Sequence, residues 1–160
     1  MADESTPERR KRWRKVIGYE VRMLYDTVNF PSEDKAREHW VVRNMIAESM
    51  VLHTRNLCDF CTSTRSSDIK PLDLFDNFAG APEYEELRRL LRLVGEAYGR
   101  NTEGTPKWAF NKMLAHPTKE RTDKFEYGPY LNRVFPLLHR VILEIVRLEK
   151  ARGRPFPPDD

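Results

Sequence analysis

Apolar residues recur along most of this chain at steps of three and four, the period of an α-helix that buries one face. Trp13, Ile17, Val21, Leu24 and Val28 form the first such stripe. Thr6 and Pro7 precede it as N-cap and first helical residue, and Asn29-Phe30-Pro31 ends it. A second helix is predicted from Ser32 to about Cys61, with Glu33 and Asp34 against the positive end of its dipole. Trp40, Val41, Val42, Met45, Ile46, Met50, Val51, Leu52, Leu57 and Phe60 cover more than one of its faces. That breadth predicts the most buried long helix of a bundle.

After the polar break of residues 62–67, Pro71 with Leu72, Leu74, Phe75 and Phe78 predicts a loop or single turn packed on the bundle. A third long helix is expected near Pro82, with Tyr84, Leu87, Leu91, Val94 and Tyr98 as its stripe and the Gly99 to Gly104 stretch as its end. Thr105-Pro106 opens a short helix that Pro117 stops after His116. The last helix carries Leu131, Val134, Leu138, Val141, Ile142, Ile145 and Leu148. Pro136 lies within that pattern, so the helix either begins close before it or kinks there. No strand or internal repeat shows. The pattern therefore predicts an all-α fold, a four- to five-helix antiparallel bundle. One domain spans 1–160, with residues 1–6 as a mobile start and 153–160 as an extended, mobile tail.

A length of 160 residues with 39% hydrophobic and 33% charged positions agrees with one folded domain. No apolar run approaches the roughly 20 residues that span a bilayer. The start, Met1-Ala2-Asp3-Glu4-Ser5-Thr6, lacks the pattern of a signal peptide, so a cytoplasmic location is expected. The formal net charge is +3, and six positive charges, Arg9, Arg10, Lys11, Arg12, Arg14 and Lys15, fall within seven residues. The rest of the chain is mildly acidic. That run, with Trp13 inside it, is a candidate contact for RNA or DNA phosphates. A solvated face or an anionic membrane surface are the other readings. Cations at a helix N-terminus oppose the dipole, which tilts the choice toward binding.

Cys58 and Cys61 form a Cys-x-x-Cys with no second pair, short of the four ligands of a zinc site. They read as two small buried side chains, and neither metal nor cofactor is expected. The polar content of the second helix is its most unusual feature. Arg55 and Asp59 are four apart and can pair, Glu48 lies two turns earlier on nearly the same stripe, and His53 projects elsewhere. Charge in an apolar helix must be paired, hydrated or facing a site. Asn111 and His116 are the matching polar groups of the short helix, and a histidine at a helix C-terminus can serve as acid, base or cap. His53, Arg55, Asp59, Asn111 and His116 are accordingly expected to form one polar cluster.

Residues 48–60 and 111–121 together resemble a family of uncharacterised bacterial helical proteins. The matching positions are Glu48, Ser49, His53, Arg55, Asn56, Leu57, Asp59 and Phe60, then Asn111, Lys112, Leu114, Ala115, His116, Thr118 and Arg121. More distantly, Leu114-Ala115-His116 is similar to the end of the Arg-to-His motif of HEPN-type domains, helical bundles that include RNA-cleaving toxins and inactive relatives. Ala109, Phe110 and Asn111 occupy the positions open to that arginine, which counts against catalysis. Arg133 and His139 satisfy the spacing literally, a match expected by chance in an arginine-rich chain.

The resemblance implies a non-catalytic or regulatory module acting with nucleic acid or a protein partner. The alternatives are a metal-independent endoribonuclease, with His53 or His116 as acid–base and Arg55 as the cation, and a structural dimerisation module.

Overall fold

The computed structural model describes residues 7–30, 40–65, 67–76, 78–114 and 126–157, and all regular structure among them is helical. The elements are α1 (Pro7–Val28), α2 (Trp40–Thr62), the single turn α3 (Pro71–Leu74), α4 (Glu85–Tyr98), α5 (Pro106–Leu114) and α6 (Gly128–Ala151), with a 3-10 turn at Pro82–Tyr84 before α4. The sequence cues for these elements are physical. Pro7 and Pro106 each stand at the first helical position, where no backbone donor is needed. The Thr105 hydroxyl accepts the Trp108 amide at 3.3 Å and caps α5. Gly99 ends α4 at φ +75°, with the Thr105 side chain about 3.1 Å from where a Cβ would sit. The expected start of the second helix at Ser32 and the stop at His116 and Pro117 lie outside the described residues.

Long-range contacts fix the directions. Thr27 meets Ser49 at 2.9 Å and Glu20 meets His53 at 2.7 Å, so α1 and α2 run antiparallel. Arg14 pairs with Glu149 and Tyr25 with His139, so α6 also opposes α1. Tyr98 reaches Asp59, and Gly95 lies against Thr62, so α4 opposes α2. The four long helices form an antiparallel bundle, and α5 packs against α2 and α6. The core joins Ile17, Val21 and Leu24 of α1 to Val51, Leu57 and Phe60 of α2. Leu87, Leu90 and Val94 of α4, Phe110 of α5, and Leu138, Val141 and Ile145 of α6 complete it. No helix among the described residues is long and apolar enough to cross a membrane.

Three expectations need correction or choice. The second helix is not buried all round: Val41, Met45 and Leu52 are exposed, Met45 at 63%. They recur at steps of four and seven on the side opposite Val51, Thr54 and Cys58, which no described helix covers. α2 nonetheless packs against α1, α4, α5 and α6, and α6 buries seven residues from Val134 to Glu149. Its helix starts eight residues before Pro136, so the proline sits inside it, with its side chain exposed. The chain after Gly153 turns back instead of extending away. Gly153 at φ +68° donates to Lys150, and the Arg154 amide donates to Glu149, each at 3.0 Å. This is a Schellman ending. It returns Phe156 to the core, where it is 8% exposed.

Candidate functional site

Two residues along a helix turn it by about 200°, and this separates the polar groups of α2 onto opposite flanks. His53 faces α1. Its Nδ1 lies 2.7 Å from Glu20, which also accepts from Asn56 at 3.1 Å. The ring stands edge-on to Tyr19 and is 5% exposed. A carboxylate on Nδ1 fixes the tautomer and orientation of the imidazole, which suits either a positioned base or a locked register pin. Glu20 was not singled out in the sequence, since its stripe is neither core nor motif.

Arg55 faces the other way, toward α4 and α5. Its Nε is 3.6 Å from Asp59, and Lys107 of α5 approaches the same carboxylate at 3.8 Å. The Tyr98 hydroxyl donates to Asp59 at 3.2 Å. Burial first, and the Asp59 carboxylate next, push the Tyr98 phenol well above tyrosine's usual range, so it remains a donor. Lys107 also lies over the Tyr98 ring, 5.4 Å from its centre. Asn111 holds Asn101 at 3.1 Å. Arg55, Asp59, Lys107 and Asn111 open on a cleft of about 200 Å³, completed by the chain from Thr62 to Arg65 and by Asp68.

The expected single cluster is therefore divided. Arg55, Asp59 and Asn111 share the α2–α5 cleft, whereas His53 is on the α1 flank. Glu48 is exposed on α2 and does not line the cleft. His116 lies outside the described residues, as do Thr118 and Arg121. Lys107 and Tyr98 are the members that sequence reading missed. Tyr98 stood on the apolar stripe of α4, and its hydroxyl at the last turn was the available signal.

The basic run of α1 also divides. Arg14 turns inward to Glu149 at 3.0 Å and donates to the Leu74 carbonyl at 2.9 Å. Glu149 is 1% exposed. Burial lowers the Arg14 guanidinium from its usual value, Glu149 opposes that, and the nearby Arg154 adds to it. Arg10 pairs with Asp76. Arg9, Lys11, Arg12 and Lys15 are exposed, and Arg9 stacks over Trp13 at 5.1 Å. Because α1 and α6 are antiparallel, the exposed Lys150 and Arg154 join this end of the bundle.

Cys58 and Cys61 carry free thiols that burial pushes upward, out of the reactive range. Among the described residues, no three His, Cys, Asp or Glu side chains converge as a metal site would require. His139 is held by Tyr25, and Arg133 points to solvent from the same helix. Comparison with family models, curated proteins and solved structures returns no match for this chain.

Proposed function

We propose that this chain is a non-catalytic, HEPN-like helical module that binds nucleic-acid backbone through the end of the bundle where α1 begins and α6 ends. One observation carries the reading. The Arg14–Glu149 contact brings the exposed Lys150 and Arg154 to the same end of the bundle as the exposed Arg9, Lys11, Arg12 and Lys15, although these segments are far apart in sequence. Like charges held together at a helix N-terminus repel each other and the dipole. A polyanion relieves both costs at once and releases its own counterions. Arg10 and Arg14 support the surface from beneath and are committed to Asp76 and Glu149.

The test is fluorescence anisotropy with labelled single-stranded RNA and duplex DNA over rising salt. Binding should weaken steeply between about 50 and 200 mM salt. A variant with Arg9, Lys11, Arg12 and Lys15 all changed to Gln should lose binding while keeping the parent's melting temperature. Binding that survives those four changes, or that ignores salt, overturns the proposal.

A further inference from the structure

The α2–α5 cleft is on the opposite flank of α2 from α1, and the nucleic-acid reading makes no use of it. Its chemistry is mixed in a particular way. Three cations, Arg55, Arg65 and Lys107, share it with two carboxylates, Asp59 and Asp68, and with the hydroxyls of the α2 end. The cations are not saturated by the carboxylates. At 3.6 and 3.8 Å from Asp59, Arg55 and Lys107 are close enough for ion pairing but beyond hydrogen-bond length. The Arg55 Nε is buried with no hydrogen-bond partner among the described residues. The rest of the guanidinium is accessible, since the side chain is one-third exposed and lines the cleft, so its remaining donors can meet a ligand there. The cleft of about 200 Å³ has room for about six waters, or for one small polar molecule.

We propose that this cleft binds a small phosphate monoester that also carries hydroxyl groups, the chemistry of a sugar phosphate. Inorganic phosphate would satisfy Arg55 and Lys107, but its P–OH groups sit on the same phosphorus that those cations hold and give Asp59 no separate donor. Asp68 already accepts from the Ser63 and Ser67 hydroxyls, so a neutral sugar could add donors only at Asp59 and would leave the cations unsatisfied. A hydroxylated phosphate does both: its phosphoryl oxygens accept from Arg55 and Lys107, and its hydroxyls donate to Asp59. The excess of one positive charge favours a ligand of net negative charge over a zwitterion such as a free amino acid. Tyr98 fixes Asp59 from below at 3.2 Å, and its ring holds the Lys107 ammonium beside the opening.

The experiment is isothermal titration of the full chain with ribose phosphate, ribose, inorganic phosphate and serine in separate runs. Ribose phosphate should bind saturably at one site, at least about tenfold tighter than the other three, because only it makes both sets of charge-assisted bonds. Lys107→Gln should weaken it by about tenfold or more, and Arg55→Gln should do the same. Lys107 is one-third exposed, so its variant folds even if the Arg55 variant does not. Arg147→Gln, exposed on α6 and outside the cleft lining, should leave the titration unchanged. Absence of saturable ribose phosphate binding overturns the proposal, as does equal or tighter binding of serine or of inorganic phosphate. Binding that is indifferent to Lys107→Gln places the ligand elsewhere and overturns it too.

Discussion

Arg14 with Glu149 and Arg55 with Asp59 are the same two chemical groups in opposite surroundings. The first pair is 3.0 Å apart with side chains 12% and 1% exposed. The second is 3.6 Å apart, with both side chains about one-third exposed. In the first, the Glu149 carboxylate is shut away from water with neither oxygen hydrogen-bonded among the described residues, so it depends on the Arg14 charge set against it. In the second, water or a ligand can reach both groups, and the charges keep donors and acceptors to offer. A sealed pair fixes two helices against each other, whereas an open pair of the same composition can exchange partners. The contrast assigns α1–α6 a structural clasp and α2–α5 a place for recognition.

The sharpest way to break that contrast is Arg14→Ala. It strands the Glu149 carboxylate in the core and should lower unfolding free energy by roughly 3–5 kcal/mol in urea denaturation. Replacing both partners together, Arg14→Met with Glu149→Leu, removes the stranded charge and should restore most of that loss. A single variant as stable as the parent would show that the pair is not sealed, and the contrast would fail.

The periodicity of the chain made the helices legible, and Pro7, Gly99, Pro106 and Gly153 made most of their ends legible. Partner choice was another matter. Arg14 sits one turn before Ile17, and Glu149 one turn after Ile145, so each is a lone charge on an apolar stripe. That is a readable sign of a buried pair, but which charge meets which depends on helix order, and no local period encodes it. The same limit hid Glu20 and Lys107, whose partners are more than thirty residues away. Periodicity also overstated the burial of α2. It counts apolar faces, and the side bearing Met45 is apolar without being covered by a described helix.

A smaller effect tests what seals the clasp. The turn at Gly153 lays Arg154 and Phe156 against the last turns of α6, beside Val146 and Lys150. Phe156→Ala removes the apolar anchor of that return and should cost about 1.5–3 kcal/mol, the usual range for a buried large side chain. Differential scanning calorimetry would read it as a lowered melting temperature. An unchanged midpoint would mean that the return segment lies on the bundle without stabilising it, and that helix packing alone excludes water from Glu149.

The smallest expected effect is the most informative about recognition. Arg55→Ala deletes one partner of the open pair. Asp59 keeps the Tyr98 hydroxyl and the approach of Lys107, and its side chain is one-third exposed, so water hydrates what the arginine leaves. Exposed ion pairs contribute about 0.2–1 kcal/mol, and that is the loss expected in the same urea measurement used for Arg14. Helix propensity adds little, because alanine is at least as good a helix former as arginine. A loss of about 3 kcal/mol or more would put Arg55 in the same class as Arg14 and make the α2–α5 cleft part of the scaffold. A loss within the expected range leaves an arginine that the fold holds in place and hardly needs. Its guanidinium, short of hydrogen bonds and set beside a polar cleft, is then free to serve a ligand.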